Sequence, residues 1–379
     1  MTRIYLDHAA HTPVLPEIIY GMAEHMDFAA GNPSSLHEEG RTAREALENA
    51  RAQVARLCGT DPRHVIFTSG GTEADNLALL GLCRGLPVHK RRILISSIEH
   101  DAMRAQIPAL RELGCEAVDL KPDASGVIRP ETVESHLDTH TGVVAVQLAN
   151  HETGALQPIS EIAEITHRYG AYLVCDAVAG VPYLNLRTDA AGADVLTLSG
   201  HKIGGPDGIG AVAGRVDLPI QALWYGGAQE RGRRPGTEPL TGAVGLGLAA
   251  GLLDSSRENR ALRAETLKTV LLRELSGIPG LTFHAQGVRT LPSHLSLSAE
   301  GVPGKILVAL ADRRGVALST GAACRSSGDE LSPVLLSMGL SEDLCRTAVR
   351  LSLCYTQSEE EMHKAAARIR DAILTFRGQ

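Results

Sequence analysis

No Cys-x-x-Cys pair and no Cys/His cluster with zinc spacing occurs in this chain. Its seven cysteines, at positions 58, 83, 115, 175, 324, 345 and 354, are odd in number and dispersed. That excludes a zinc module or a disulfide framework and predicts free thiols with no metal bound. Equally missing is an apolar stretch approaching the length of a membrane span. The opening Met-Thr-Arg-Ile-Tyr lacks a signal peptide's apolar segment, so a cytoplasmic protein away from membranes is expected. There is no basic run, and a net charge of −7 argues against nucleic acid as a partner. Internal repeats and low-complexity tracts are absent. What remains, 44% hydrophobic and 21% charged over 379 residues, can bury a sizeable core in two domains or one large α/β domain with an appendage.

Strand and helix patterns alternate through most of the chain. Strands are expected at 65–69, 92–96, 116–120, 143–147, 171–176, 195–198 and 210–213, and helices at 40–57, 73–82, 101–113 and 160–169. Repeated β-α units give a mainly parallel sheet with helices on both faces. After about Leu253 the character changes. A charged amphipathic helix from Glu258 to Leu275 connects to a smaller α/β unit with strands near 295–298 and 349–353. The expected division is a large domain over 16–254 and a small one built from 1–15 and 255–379.

The stretch that organises the chain is Asp194-Val-Leu-Thr-Leu-Ser-Gly-His-Lys202, followed by Ile-Gly-Gly-Pro-Asp-Gly-Ile-Gly210. A short apolar strand stops at Ser199-Gly200, and Lys202 sits just beyond its carboxyl end, where open α/β sheets bind ligands. A lysine there, partly desolvated, can attack an aldehyde to form a Schiff base; most lysines are simply solvated. Three other strand ends bear on the choice. Thr68-Ser-Gly-Gly-Thr72-Glu73 joins a strand to a helix N-terminus. Glycines such as Gly71 let backbone N–H groups approach an anion, although such a turn can be merely structural. Asp176 ends a buried apolar strand, where a carboxylate needs a cation; a pyridinium nitrogen, an N-cap role or a salt bridge would each serve. Glu99-His100 follows another strand, placing an imidazole that lies against a planar ring or is only solvated. Phosphate cup, carboxylate, imidazole and amine together are the parts needed to hold pyridoxal 5′-phosphate.

Over nearly its whole length the chain resembles the class V aminotransferase-type cysteine desulfurases. The motifs are Tyr5-Leu-Asp-His-Ala-Ala, Gly31-Asn-Pro-Ser-Ser-Leu-His37, Phe67-Thr-Ser-Gly-Gly-Thr-Glu73, Ser199-Gly-His-Lys202, Gln229-Glu-Arg-Gly-Arg-Arg-Pro-Gly-Thr237 and Ser319-Thr-Gly-Ala-Ala-Cys324. Ile98-Glu-His-Asp-Ala-Met-Arg104, Arg234-Pro-Gly-Thr-Glu238, Gly321-Ala-Ala-Cys324 and Ser332-Pro-Val-Leu-Leu-Ser337 look more like the related selenocysteine lyases. The resemblance implies a fold-type-I pyridoxal-phosphate transferase and a homodimer. In it Lys202 carries the cofactor, His100 stacks on its ring and Asp176 pairs with the ring nitrogen. Gly71, Thr72, Ser199 and His201 bind phosphate, and Thr237 reaches the partner subunit's phosphate. Cys324 takes sulfur or selenium from the substrate as a persulfide. The small residues around it agree, because they offer no apolar periodicity to bury the thiol. Arg350 clamps the substrate carboxylate bidentately.

The chain departs from the family pattern at Asn150-His151-Glu152, where Asn-Asn-Glu is usual, and at Ala179, where a glutamine is usual. His8 and His11 replace Asn and Thr, and Cys354-Tyr355 replace Gly-Arg. His151 is expected to touch the cofactor and to stand in for the donor that Ala179 cannot supply. The leading functional expectation is a cysteine desulfurase yielding L-alanine and passing sulfur to an acceptor protein. The alternatives are a selenocysteine lyase acting on L-selenocysteine and a delivery scaffold of low turnover.

Overall fold

The structure is a computed structural model, and it describes residues 2–28, 31–215, 217–321 and 331–378. Its centre is a seven-stranded sheet in the order β2-β8-β7-β6-β5-β3-β4. These strands are β2 (Val65–Thr68), β3 (Arg92–Ser96), β4 (Glu116–Leu120), β5 (Thr141–Ala145), β6 (Tyr172–Asp176), β7 (Val195–Ser199) and β8 (Gly210–Gly214). The run β7-β6-β5-β3-β4 is parallel throughout, while β8 runs antiparallel to both β7 and β2.

Because side chains alternate across a pleated strand, these apolar runs feed two separate cores. Phe67, Leu94, Val144, Leu173 and Leu196 face one core, shared with the helices Pro16–Phe28, Glu38–Cys58 and Ile159–Arg168. Ile66, Ile93, Val143, Val174, Val195 and Val212 face the other, against Leu77, Leu82 and Leu110. A sheet covered on both faces forces ligands to its ends.

A third core lies apart from that sheet, around an antiparallel sheet β12-β10-β9 of Ala348–Ser352, His294–Ala299 and Leu281–Phe283. Ile4 and Leu6 join it, Ile4 through β1 (Ile4–Tyr5), which pairs in parallel with β11 (Val316–Ala317). Connecting the parts is one unbroken helix, Leu240–Ser276, of 37 residues. Its first half contributes Ala243, Leu246 and Leu253 to the first core; its second half contributes Leu267, Leu271 and Leu275 to the third. It is longer than the pattern predicts because Gly242, Gly245, Gly247 and Gly251 weaken the helical signal of its first half. At Gly247 the reason is packing, since a Cβ there would lie 2.6 Å from Ala50 of the neighbouring helix.

Two other expected helices differ in detail. The helix after β2 runs in register from Gly71 to Gly85 but includes a π turn at Leu77–Gly81. The stretch 101–113 divides into Asp101–Arg104 and Ile107–Glu112. Pro108 cannot donate to the preceding turn and its ring crowds it, so a continuous helix is excluded.

Candidate active site

Beyond the carboxyl ends of β6 and β7 lies a cavity of about 510 Å³. Gly71, Thr72, His100, His151, Asp176, Ser199, His201, Lys202 and Arg350 all line it. Two residues expected at the site do not. Thr237 is exposed and lies outside that lining, and Cys324 falls outside the described residues. The described chain on either side of 322–330 does open onto the cavity, through Gly321 before it and Pro333 and Val334 after it.

Lys202 ends a short turn, Gly200–Lys202, that follows β7 directly. Its Nζ donates to the carbonyls of Ala9 and Ala10, the latter at 2.8 Å, so the N-terminal segment forms one wall. Next to it Gly70 and Gly71 turn the chain from β2 into its helix. A Cβ on Gly71 would press to 3.2 Å from Val178 and 3.4 Å from Ser199, so glycine keeps that backbone close to the Ser199 hydroxyl. Ser199 Oγ and His201 Nδ1 share a 3.0 Å hydrogen bond. Burial and then the Lys202 ammonium hold His201 down to about 4, so its ring is neutral at physiological pH. His11 stacks beside it, with centroids 5.8 Å apart and planes 11° from parallel.

Across the cavity Asp176 accepts from the Val178 N–H at 2.8 Å. Burial raises its carboxyl, opposed by the nearby His100 and Lys202. Two more carboxyl groups lie close to it. Asp75 accepts from Thr197 Oγ1 at 2.6 Å, and Glu99 from the Gln147 N–H at 2.7 Å. Both are raised well above the ordinary range by burial first and Asp176 second. Three carboxyl groups so placed resist ionising together, and a cation among them offsets that cost.

His100 caps the helix Asp101–Arg104, its Nδ1 accepting the Ala102 N–H at 3.1 Å. A nitrogen that accepts carries no proton, which leaves the ring proton on Nε2. The His151 ring meets it edge-on, centroids 5.3 Å apart and planes at 76°. His151 itself is held well below its ordinary value by burial and by its cationic neighbours.

Arg350 enters from β12 and is only 4% exposed. It donates to the His151 carbonyl at 2.9 Å and to Asp7 Oδ1 at 2.8 Å, while its Nε has no partner among the described residues. Asp7, Asp75, Glu99, Gln147 and His294 all line the site or hold its lining residues, and sequence pattern assigns none of them a role. A signal existed for two. Asp7 and Glu99 stand inside quoted motifs next to histidines, and a carboxylate in an otherwise apolar neighbourhood marks a paired or functional acid.

A family model for aminotransferase class-V matches residues 4–364. The chain belongs to the aminotransferase class-V family. The "Cysteine desulfurase IscS" of Dictyoglomus turgidum is 34% identical over 94% of this chain and 91% of its own length. Among solved structures, a "NifS-like protein" superposes with a TM-score of 0.91 at 30% identity, covering 99% of this chain and 100% of that one. A second, "SspA in complex with cysteine", gives 0.81 at 30% identity over 93% and 99%. This class-V chain therefore has the fold-type-I α/β architecture, with a mainly parallel central sheet flanked by helices. Among its described residues no helix is long and apolar enough to cross a membrane, and no group of three or more His, Cys, Asp or Glu could hold a metal ion.

Proposed function

We propose that this class-V enzyme is a pyridoxal 5′-phosphate-dependent cysteine desulfurase, converting L-cysteine to L-alanine with transfer of the sulfur to Cys324. The observation that carries the reading is the convergence of Lys202, Asp176 and Arg350, from three strands, on one cavity. The donor set fits the cofactor. Lys202 offers an amine, Gly71, Thr72, Ser199 and His201 gather donors on one side, and the crowded carboxyl groups around Asp176 call for a cation on the other. When bound, pyridoxal 5′-phosphate supplies an aldehyde and an electron-withdrawing ring that stabilises charge at the substrate carbon.

The chain's own residues do the rest. Arg350, braced by Asp7, presents its remaining N–H groups to the substrate carboxylate. Lys202 Nζ holds and returns the proton of the reacting carbon. His100 offers a second proton from Nε2, its Nδ1 being occupied. The Cys324 thiolate takes the substrate sulfur, so L-cysteine and one protein thiol become L-alanine and one protein persulfide, with no external oxidant or reductant needed. Exposure of Thr237 outside the cavity supports its use by a second subunit's phosphate, and the 96% exposed Tyr225 supports a homodimer that covers this side. A protein acceptor then receives the persulfide sulfur.

The test is alanine formation by purified protein on L-cysteine and on L-selenocysteine, with borohydride reduction and peptide mapping. Turnover on L-cysteine and a pyridoxyl group on Lys202 are expected. Label on another lysine, or alanine from selenocysteine alone, would sink the reading.

A further inference from the structure

β2 is an edge strand, paired to β8 on one side only. It leads straight into Thr68–Thr72, the turn read above as the phosphate cup. Its outer edge presents the Val65 carbonyl and the Phe67 N–H, two residues apart and therefore on the same side. Among the described residues no strand meets them; a buried ion pair does. Arg51 donates to the Val65 carbonyl at 3.0 Å, and Glu230 accepts the Phe67 N–H at 2.9 Å. The two side chains join each other through a pair of hydrogen bonds at 2.7 and 2.8 Å. Arg51 also lies over the Phe67 ring, 4.8 Å from its centroid.

One step further along the same edge is the Ser69 N–H. It is accepted by Glu73 at 2.6 Å, and Glu73 is held in turn by Arg234 at 3.0 Å. Glu230 and Arg234 belong to one stretch, 229–237, whose side chains serve this edge, Glu230 directly and Arg234 through Glu73. The loop adopts an unfavourable backbone to do so. Glu230 and Arg231 both lie in the left-handed region, at φ 46° and 57°, where residues other than glycine are strained. Such strain persists only where surrounding contacts enforce it.

We infer that Glu230 and Glu73 are positioning residues for cofactor phosphate. Acting through the N–H groups of Phe67 and Ser69, they fix the end of β2 and the residue after it so that the backbone of 70–72 is held open to an anion. The inference rests on the reading that this cavity takes pyridoxal 5′-phosphate. The competing explanation, that the loop merely protects a sheet edge, predicts a stability effect with no preference for the phosphate.

The experiment titrates the apo-protein with pyridoxal 5′-phosphate and with pyridoxal, which has the aldehyde but no phosphate. It reads the dissociation constant for pyridoxal divided by that for pyridoxal 5′-phosphate in wild type, Glu230→Ala, Glu73→Ala, Arg234→Lys and Glu48→Gln. Both alanine variants are expected to lower the ratio roughly tenfold, the equivalent of about one charge-assisted hydrogen bond. Arg234→Lys, at a partly exposed position that keeps its charge, is expected to lower it about threefold and remain folded. Glu48→Gln removes the charge of Arg51's other partner without touching β2 and is expected to leave the ratio unchanged. A ratio within twofold of wild type in every folded variant overturns the proposal and leaves edge protection. Equal wild-type affinity for the two compounds removes the cofactor reading and this proposal with it.

Discussion

Asp7 and Arg350, separated by 343 residues in the chain, form an ion pair at 2.8 Å in the wall of the cavity. Arg350 is 4% exposed at its side chain and Asp7 20%, so solvent screens the pair little. Asp7 also sits in an isolated parallel bridge with Ser352, two residues past Arg350 on β12. The N-terminal segment therefore sets the orientation of the guanidinium. Asp7→Asn keeps an acceptor of the same shape but loses the charge. We expect KM for L-cysteine to rise about tenfold with kcat within twofold, the signature of weakened ground-state binding. A fall in kcat at unchanged KM would place Asp7 elsewhere in the reaction.

Cys324 should be separable from cofactor binding. Cys324→Ala is expected to keep the visible absorbance of the loaded enzyme and its spectral response to L-cysteine, yet to form no protein persulfide by mass spectrometry. Persulfide accumulating at the wild-type rate would assign the carrier role to another thiol. The six cysteines among the described residues are all buried, which makes Cys324 the thiol to test first.

His284 makes a pH prediction with a definite sign. Ser298 donates to the Leu344 carbonyl at 2.6 Å and so accepts from His284 Nε2 at 3.0 Å, which leaves Nδ1 to accept from Ser296 at 2.9 Å. The neutral ring is satisfied, and burial pushes it down from 6.5 to about 4. The unfolded chain therefore binds the extra proton first. Stability contributed here is intact above pH 6.5 and is lost as pH falls toward 4, on the order of 3 kcal/mol across that window. Asp75, Glu99 and Asp176 are raised and act in the opposite sense, so the difference between wild type and His284→Asn is the quantity to read. Chemical denaturation at several pH values should show the gap narrowing with acid; a gap independent of pH would refute the assignment.

His151 and Ala179 invite a double-mutant cycle. The His151 ring is edge-on to His100, its Nδ1 is 3.5 Å from Gln147 Oε1, and Ala179 lines the same cavity. If His151 replaces a donor that Ala179 lacks, visible-absorbance pH titrations of His151→Asn, Ala179→Gln and the double variant will be non-additive. We expect a coupling of about 0.5 kcal/mol or more. Simple addition of the two single shifts would make His151 a bystander to the cofactor and confine it to its contact with His100.

Much of the architecture is legible in the sequence, for a local reason. Buried parallel strands are short apolar runs bounded by turns, and helices repeat at their own period, so each betrays itself within a few residues. Lys202 is legible for the same reason, since its strand stops at Ser199 three residues earlier. The helix Leu240–Ser276 is half hidden because its glycines serve packing against Ala50, a partner no local pattern reveals.

By itself, the sequence determined that strands alternate with helices, that an amine, a carboxylate and an imidazole fall at strand ends, and that a thiol lies among small residues. These are properties of neighbours along the chain, governed by backbone sterics and side-chain alternation. Tertiary structure alone decided the pairing of Asp7 with Arg350, the crowding of Asp75, Glu99 and Asp176, and the joining of Arg51 to Glu230 across 179 residues. Each brings charged groups out of water, where an unpaired charge is costly and a partner at any sequence distance will serve. That requirement acts through space and leaves no period in the sequence, so only the folded chain reveals which partner meets it.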